Sequence, residues 1–447
     1  MPATLRPAPH DLPLACLYRW ERERASRIYL SQPMGGGVVA NITWAEAADQ
    51  VRRIAAWLQA QGWPAGSRVA IVGKNSAHWL LADLAIAMAG HVSVPIYPTF
   101  NAQALDYILA HSSAQAAFIG KMDDTSSLQG CRASGLPLIV LPLAPAIAAL
   151  RWDDLLAATQ PLQGQPAPDA DSLATIMYTS GTTGAPKGVM HSFGALAWSV
   201  SSATERVHMD GNDRLISYLP LAHVAERILI EQAALRFGAQ VFFAESLDTF
   251  ISDMQRARPT VFFSVPRLWV KFQQGVHAKL PEARLRTLLR IPVVGGLVRR
   301  KILKGLGLDQ CRLAAGGAAP MPAETLRWYR GLGLDLIEVY GMTEMCGASH
   351  STLPHGSDTG SVGLPMAGFA CRIDAANGEI QVRAPCITSG YFQQPELTAE
   401  MMAEDGWMRT GDKGHISSSG ALSITGRVKD LFKTSKGKYV APAPIED

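Results

Sequence analysis

A loop rich in glycine and threonine that ends in a lysine is the part of this sequence best suited to chemistry. Residues 178–192 read YTSGTTGAPKGVMHS and overlap the end of the apolar run LATIMY. Glycines let backbone N–H groups approach an anion, hydroxyls add donors, and Lys187 adds positive charge. The spacing excludes a Walker loop, because two residues separate Gly184 from Lys187 and Gly188 follows the lysine. Composition alone leaves two alternatives, a polyphosphate site and a flexible surface loop.

Periodicity predicts the elements that must position this loop. Strands are predicted at 68–73, 91–97, 173–178, 241–245, 261–265 and 336–340. The first two flank a helix-compatible segment, which makes a βαβ unit and therefore a parallel sheet. The third is apolar on both faces, as in a central parallel strand, so the loop leaves its carboxyl end, where open α/β sheets bind ligands. A capping box at Thr43 and Glu46 predicts an amphipathic helix before this unit.

The pattern changes after about residue 360. ACRIDAANGEIQVRA alternates apolar and polar residues around Asn377-Gly378, a strong hairpin signal. We therefore expect an α/β fold whose N-terminal body, residues 1–426, has two parallel-sheet α/β subdomains up to about residue 360. A small antiparallel, barrel-like subdomain should follow at about 360–426.

Composition narrows the class of protein. The 447 residues include 41 Lys and Arg against 38 Asp and Glu, a net charge of +3 that disfavours nucleic acid as a partner. The six cysteines are scattered without a CxxC pair, so neither a zinc site nor a disulfide framework is expected. The longest apolar stretches, near 80–90 and 138–150, are too short to span a bilayer. A cytoplasmic protein without a signal peptide is predicted.

Five separated motifs together resemble the adenylate-forming synthetases. They are YTSGTTGAPKG (178–188), YLPLAHVAER (218–227), AAGGAAP (314–320), YGMTE (340–344), and TGD (410–412) with GRVKDLFK (426–433). Within that superfamily of AMP-binding enzymes, LPLAHVAER, VPRLW and KDLFKTSKGKYVAPAPIE look most like long-chain fatty acyl-CoA synthetases.

The resemblance implies an acid–thiol ligase that uses ATP, Mg²⁺ and CoA. A long-chain fatty acid would be activated to acyl-adenylate with release of pyrophosphate, and CoA would then take the acyl group and release AMP. Fatty acid, ATP and CoA would be its small-molecule partners. Two alternatives stay open. One is a fatty acyl-AMP ligase that loads a carrier protein, and the other is a nucleotide- or acyl-binding module without turnover.

The resemblance also assigns residues to the reacting phosphates. The β- and γ-phosphates would be held by Thr179, Ser180, Gly181, Thr182, Thr183, Gly184 and Lys187. Thr343 would contact the α-phosphate, and Glu344 would bind Mg²⁺ together with Thr179. An anion attacks an anion in the first step, so charge neutralisation must supply much of the catalysis. Oxygen ligands and substrate phosphates are the usual surroundings of Mg²⁺.

A second set of residues is assigned to the nucleoside. The adenine pocket would consist of Gly317, Ala318, Glu338, Tyr340 and Gly341, with the ring of Tyr340 stacked on the base. Asp412 would accept hydrogen bonds from the ribose hydroxyls, and Arg427 would make the second ribose contact. Taken without their motifs, Tyr340 could equally be core and Asp412 a turn residue.

The acyl side is assigned to His223 and the segments near it. In the family this position lies between the phosphate loop and the carboxylate pocket, so His223 would orient the carboxylate or gate the acyl tunnel. Outside its motif, a structural histidine is the alternative. The aromatic gate that often follows in the family is replaced here by Val224 and Ala225. Trp269 and the run VFFSV at 261–265 are predicted walls of the tunnel.

The last residues resemble the hinge and the beginning of a lid domain. The hinge falls at 427–430 and contains Lys429, and Lys433 would reach the active site in the thioester-forming state. Residues 431–447 would begin the lid. The family's closing lysine lies much farther along, so we expect the C-terminal lid domain to be almost entirely absent, by truncation, and turnover to be impaired.

One basic segment is not explained by these motifs. Residues 284–307, RLRTLLRIPVVGGLVRRKILKGLG, carry seven Arg and Lys and no acid, mixed with Leu, Ile and Val. This composition suits peripheral contact with the inner face of a membrane, where a fatty acid would be collected. A solvated helical hairpin is the alternative.

Overall fold

A computed structural model describes most of the chain: residues 7–133, 135–179, 185–205, 207–353, 360–428, 432–433 and 439–440. In chain order the strands are β1 (Ile28–Gly35), β2 (Val38–Thr43), β3 (Arg68–Val72), β4 (Val92–Ile96), β5 (Ala114–Ile119), β6 (Leu138–Val140), β7 (Leu150–Arg151), β8 (Leu173–Thr179), β9 (Lys187–Ser192), β10 (Arg214–Ser217), β11 (Gln240–Phe243), β12 (Val261–Ser264), β13 (Leu313–Gly317), β14 (Leu336–Met342), β15 (Gly347–Ser351), β16 (Leu364–Pro365), β17 (Ala370–Ile373), β18 (Glu379–Arg383), β19 (Met408–Ile416), β20 (Leu422–Arg427), β21 (Phe432–Lys433) and β22 (Tyr439–Val440).

The helices alternate with these strands through most of the chain. They are α1 (Pro13–Glu23), α2 (Trp44–Ala60), α3 (Ala77–Met88), α4 (Ala102–Ser112), α5 (Gln129–Ala133), α6 (Trp152–Ala158), α7 (Phe193–Thr204), α8 (Val224–Glu226), α9 (Ala233–Phe237), α10 (Phe250–Ala257), α11 (Pro266–Lys279), α12 (Glu282–Arg290), α13 (Val294–Leu306), α14 (Ala323–Gly331) and α15 (Pro395–Met401). A π-helical segment, Arg227–Gln232, joins α8 to α9, and a short 3-10 turn, Thr343–Met345, follows β14. Among the described residues, no helix combines the length and the apolar character needed to cross a bilayer.

The largest sheet has seven strands in the order β7-β6-β5-β3-β4-β8-β9. Its β3–α3–β4 unit confirms the predicted βαβ unit, and both strands are almost completely buried. The α2 helix begins with the predicted capping box, in which Thr43 and Glu46 satisfy each other's backbone N–H groups. The expectation for β8 is only half met. It runs parallel to β4 but antiparallel to β9, so β8 and β9 form a hairpin and not two strands of a parallel sheet.

Two further mixed sheets complete the α/β body. One has the order β10-β11-β1-β2, so the N-terminal hairpin β1–β2 joins strands that lie about two hundred residues later. The other has the order β12-β13-β14-β15-β16 and contains the predicted strands at 261–265 and 336–340. Its last strand, β16, comes from beyond residue 360, so this sheet contains chain from both sides of the predicted subdomain boundary. That boundary stays a prediction.

A small antiparallel sheet with the order β17-β18-β19-β20 follows the α/β body. The predicted hairpin is present, because β17 and β18 pair around the turn at Asn377-Gly378, where the glycine has φ +75°. The α/β fold class with an additional antiparallel sheet is therefore confirmed.

Candidate functional site

The β8–β9 hairpin brings both ends of the glycine-rich loop together. Thr179 and Lys187 are direct partners in the antiparallel register, so the loop between them starts and ends at one place. Glycine is required at position 188, because a Cβ there would lie 2.7 Å from a methyl of Ile176 and 3.1 Å from the ring of Tyr178. Ser180, Gly181, Thr182, Thr183 and Gly184 lie outside the described residues. Their assignment to the phosphates stays a prediction.

Beside Lys187 lies a carboxylate held by a tyrosine. Glu344 is buried, with 9% of its surface exposed, and its Oε1 accepts a hydrogen bond of 2.8 Å from the hydroxyl of Tyr391. The ammonium of Lys187 lies 5.3 Å from the centre of the same ring, within cation–π range. Burial, and then the charge of Glu344, raise the pKa of the Tyr391 hydroxyl, which therefore stays a donor at neutral pH.

Two residues to which the resemblance assigned no role, His191 and Thr388, hold the turn at Thr343 and Glu344 in place. His191 is fully buried, and its Nε2 donates to the carbonyl of Thr343 at 2.8 Å. Burial lowers the pKa of His191 to about 4, so the ring is neutral and acts as a fixed donor. The N–H of Thr388 donates to the carbonyl of Glu344 at 2.8 Å, while its hydroxyl donates to Met190. The turn that carries Thr343 and Glu344 is thus tied to β9 from both sides.

Tyr391 reaches this turn because its own segment lies along β9. Its backbone forms an isolated antiparallel bridge with Val189, and the N–H of Phe392 donates to the carbonyl of Gly188 at 2.8 Å. Sequence reasoning missed both Tyr391 and His191. His191 lies in the quoted loop motif only four residues after Lys187, whereas the spacing of Tyr391 carries no comparable signal.

A second polar group connects β14 to the small antiparallel sheet. The hydroxyl of Tyr340 donates to Oδ2 of Asp412 at 2.6 Å, and Nε of Arg427 lies 3.1 Å from Oδ1. Asp412 and Arg427 are direct partners across β19 and β20. Asp412 therefore lies in a strand, and both of its oxygens are already engaged. The Tyr340 side chain is largely buried, and burial followed by the charge of Asp412 raises the pKa of its hydroxyl.

The two polar groups are joined by one irregular stretch of β14. A bulge occurs between Tyr340 and Gly341 in the pairing with β15. A Cβ on Gly341 would lie 1.8 Å from the carbonyl oxygen of Gly347, so only glycine permits this close approach. Tyr340 therefore lies near the end of β14, and Glu344 lies in the short 3-10 turn that follows the strand.

The remaining residues assigned to adenine lie at the ends of neighbouring strands. Gly317 ends β13 and is paired with Val339 of β14, while Ala318 has a left-handed backbone with φ +67°. Burial raises the pKa of Glu338 to about 7, although an N–H from Met321 opposes the shift. A partly neutral carboxyl at this place could donate as well as accept a hydrogen bond.

His223 begins the short α8 helix. Its Nδ1 accepts the N–H of Ala225 at 3.1 Å, which leaves Nε2 as the protonated nitrogen. Burial lowers the pKa of the ring, so it is neutral at physiological pH. The same helix is fixed by Glu226, whose Oε1 accepts hydrogen bonds from Ser217, Asn75 and the N–H of Tyr218. Burial raises the pKa of Glu226 to about 8.

An apolar cavity of about 70 Å³ lies beside this helix. It is bounded by Phe263 and Ile337 of the five-stranded sheet and by Ile228 of the π-helical segment. The predicted tunnel wall at 261–265 is therefore at the cavity, whereas Trp269 is not. The tryptophan is fully buried on the other side, where its Nε1 donates to the carbonyl of Ala315 at 3.2 Å. A more polar groove of about 450 Å³ adjoins the cavity and shares with it the lining residues Thr204, Val207 and Met209.

Some of the assigned residues cannot be placed in the site. Lys429 lies outside the described residues, and Lys433 lies in β21. In the part of the chain that the structure describes, no group of three or more His, Cys, Asp or Glu side chains could hold a metal alone. The hydroxyl of Thr179 and the carboxylate of Glu344 are nevertheless the oxygen donors that Mg²⁺ prefers when substrate phosphates supply further ligands.

The chain is similar to several known proteins over most of its length. The long-chain-fatty-acid–CoA ligase ACSBG2 of Gallus gallus is 32% identical over 435 residues, which are 85% of this chain and 56% of that protein. The long-chain-fatty-acid–CoA ligase FadD15 of Mycobacterium bovis is 32% identical over 481 residues, covering 100% of this chain and 79% of its own length. The chain thus spans little more than half of the chicken relative.

Among solved structures, ATP-bound MatB from Rhodopseudomonas palustris superposes with a TM-score of 0.79 at 27% identity, over 98% of this chain and 82% of that one. The model of the AMP-binding enzyme family matches residues 18–392, which include the hairpin, the Glu344 turn, the His223 helix and Tyr391. On this match, and on the residues that the fold brings together, the chain belongs to the AMP-binding enzyme family.

Proposed function

We propose that this chain carries the adenylating part of a long-chain fatty acyl-CoA ligase. In the first step a carboxylate oxygen of the fatty acid attacks the α-phosphorus of ATP, and the bond to the β-phosphate oxygen breaks to release pyrophosphate. In the second step the sulfur of CoA attacks the acyl carbon, the bond to AMP breaks, and the thiol proton is lost to solvent. The main support is that two polar groups, around Glu344 and around Asp412, meet at residues 340–344.

The phosphate side of this proposal rests on charge. Lys187 and the hairpin loop would hold the β- and γ-phosphates, while Thr343 would contact the α-phosphate. Glu344 and Thr179 would hold Mg²⁺, which when bound supplies positive charge to the phosphate oxygens. Tyr391 keeps the Glu344 carboxylate in one orientation by its 2.8 Å hydrogen bond. A fixed donor of this kind does not have to reorganise during the reaction.

The nucleoside side rests on the Tyr340, Asp412 and Arg427 group. We propose that Asp412 binds the ribose hydroxyls and that Arg427 shares this contact. Because Arg427 is more than half exposed, it can turn aside when a ribose hydroxyl takes its place on Oδ1. The adenine would lie near Gly317, Ala318 and Glu338. Because the pKa of Glu338 is about 7, its carboxyl could accept a hydrogen bond from the adenine amino group or donate one to a ring nitrogen.

The acyl side of this proposal rests on the apolar cavity and on the groove that adjoins it. A cavity of about 70 Å³ is smaller than the ~150 Å³ cavity that admits a benzene ring, so it cannot hold a long acyl tail on its own. The adjoining groove of about 450 Å³ extends the available space past Met209. A long-chain fatty acid is therefore the proposed substrate, because the groove adjoins the cavity and because the relatives are named long-chain-fatty-acid–CoA ligases. His223 would orient the carboxylate through its Nε2–H.

Two other functions make different predictions. A fatty acyl-AMP ligase would transfer the acyl group to a carrier protein, and AMP release would then require the carrier and not free CoA. A binding module would bind ATP in calorimetry without exchanging pyrophosphate. The relatives named as CoA ligases are the support for CoA as the acceptor in the first proposal.

The direct test is ATP–pyrophosphate exchange driven by saturated fatty acids of increasing length. Lys187→Ala and Glu344→Ala should each lower exchange about 10²- to 10³-fold, since each removes charge compensation from the phosphates. Lys271→Ala and Glu324→Ala, which change exposed side chains, are matched controls and should exchange normally. Near-normal exchange in either site variant would remove that residue's assignment, and AMP release with CoA alone would exclude the carrier alternative.

The small molecules ATP, fatty acid and CoA are the proposed partners. For location we propose the cytoplasm, with peripheral contact at the inner face of the membrane. Fractionation of cells that express the protein tests this, because release of the membrane-bound portion by high salt is expected for a peripheral contact.

A further inference from the structure

The connection between α12 and α13 exposes an unusual amount of apolar surface. Thirteen large apolar side chains are exposed in the described part of the chain, and four of them fall within residues 291–297: Ile291, Val293, Val294 and Leu297. Val293 is 81% exposed and Leu297 64% exposed. Single exposed apolar residues need no explanation, but a cluster at the end of a protruding element does.

The two helices hold this cluster away from the core. α12 and α13 pack against each other, and the later part of α13 is anchored by Leu306, which belongs to a buried cluster with Phe250 and Met254. At the opposite end the backbone of Val293 has φ +65°, a conformation that a β-branched residue rarely adopts. The apolar cluster therefore forms the free tip of the hairpin, which we call the basic hairpin (residues 282–307).

The positive charge of the protein is concentrated on the same hairpin. The hairpin contains seven Arg and Lys and one acid, Glu282, which forms an ion pair with Arg286, so its net charge is +6. The whole chain is only +3, so the rest of the chain carries a net charge of −3. All seven are exposed: Arg284, Arg286, Arg290, Arg299, Arg300, Lys301 and Lys304. On α13, Leu297 lies on the same helical face as Lys301 and Lys304 because of the i, i+4 and i+7 spacing.

We propose that the basic hairpin docks on an anionic lipid bilayer, with Val293 and Leu297 entering the headgroup region while the surrounding cations meet the lipid phosphates. The charge complementarity favours a negatively charged partner, and the apolar tip favours one that also offers an apolar interior. A bilayer satisfies both demands, whereas nucleic acid or an acidic protein surface satisfies only the first. The hairpin would lie on the surface of the bilayer and would not cross it, because α13, with 13 residues, is shorter than a membrane-spanning helix.

Co-sedimentation of the whole protein with vesicles tests the proposal. Binding is expected with phosphatidylcholine vesicles that contain phosphatidylglycerol, and not with phosphatidylcholine alone. Replacing Arg299, Arg300 and Lys301 together by Gln should weaken binding about 100-fold, given the usual contribution of each surface cation. Leu297→Asp should weaken it by at least about tenfold, and more if Val293 is changed as well. High salt should weaken the wild type but act less on the Gln variant.

Val38→Asp is the matched control, since Val38 is 62% exposed on β2 and lies outside the hairpin. It should bind like the wild type, and thermal unfolding should be unchanged in all variants because every altered side chain is exposed. No binding to anionic vesicles, or equal binding by the wild type and the hairpin variants, would overturn the proposal. Pyrophosphate exchange in solution does not depend on this surface, so failure of the docking proposal and failure of the ligase proposal are distinguishable.

Discussion

A buried group of charges behind the His223 helix allows one prediction to be worked out in detail. The guanidinium of Arg227 lies between two carboxyls, 2.9 Å from Asp83 and 2.7 Å from Glu231. None of the three side chains is more than 8% exposed. Burial raises the pKa of Glu231 well above its ordinary value of 4.5, although Arg227 opposes the shift. We therefore assign Glu231 as a carboxyl that keeps its proton to a higher pH than an ordinary glutamate.

This assignment makes Glu231→Gln a stabilising substitution. Glutamine keeps the shape of the protonated side chain but needs no proton. Holding a carboxyl with an ordinary pKa of 4.5 in its neutral form at pH 7 costs about 3 kcal/mol relative to the unfolded chain. The variant should gain up to that amount at pH 7, which is large beside a typical net stability of 5–15 kcal/mol.

The pH dependence gives the sign of the effect. Because the folded-state pKa of Glu231 is raised, its contribution to stability is complete below pH 4.5 and is lost as the pH rises. The glutamine variant has no such loss. The difference in free energy of unfolding should thus grow by at most about 1.4 kcal/mol per pH unit between pH 4.5 and the raised folded-state pKa of Glu231, and it should be below about 1 kcal/mol at pH 5.

Urea unfolding of both proteins between pH 5 and pH 8 measures this difference. Glu324→Gln is the control, since Glu324 is exposed and its replacement should change stability by less than about 0.5 kcal/mol at every pH. A loss of 2 kcal/mol or more at pH 7 that does not vary with pH would refute the reasoning. Glu231 would then be ionised and paired with Arg227, as the 2.7 Å distance alone suggests.

Three further predictions concern the candidate site. Tyr391→Phe removes the hydrogen bond to Glu344 and should slow pyrophosphate exchange at least about tenfold, with a small fall in the melting temperature because the buried Glu344 carboxylate loses a donor; an unchanged rate would contradict its positioning role. Asp412→Asn should weaken AMP binding in calorimetry by about tenfold or more, since Arg427 loses its partner and the ribose loses an acceptor, and an affinity within twofold of the wild type would remove the ribose assignment. Met209→Trp should shift the preferred acyl length downward in competition assays, because this side chain lines both the cavity and the groove, and an identical length profile would mean that the tail takes another path.

Local signals in the sequence are sufficient for much of the fold. The capping box at Thr43 and Glu46, the βαβ unit and the Asn377-Gly378 hairpin all depend on residues close together in the chain, and all three occur as expected. The pairing of β1 with β11 was not predictable in this way. It joins Leu30 to Val241, and no short-range pattern specifies such a distant partner.

The same limit applies to the candidate site. Motifs identified Lys187 and Glu344 because each lies in a recognisable stretch of sequence. Tyr391 escaped notice because its place depends on backbone pairing between its segment and β9, roughly two hundred residues away. The neighbour against which a helix face packs is likewise a tertiary property, which is why Trp269 of α11 was assigned to the tunnel although it is core.

The end of β14 and the turn that follows it explain how one short stretch, residues 340–344, contacts both polar groups. In a regular strand successive side chains alternate between the two faces, so Tyr340 and Glu344 would lie on one face about 13 Å apart along the strand. The turn at Thr343–Met345 ends this alternation before Glu344, while the extra residue of the bulge, Ser349, lies in the facing strand β15. Each side chain then meets a partner from a different sheet region, Asp412 in one case and Tyr391 in the other. The same five residues therefore connect the two polar groups, through Tyr340 at one end and Glu344 at the other.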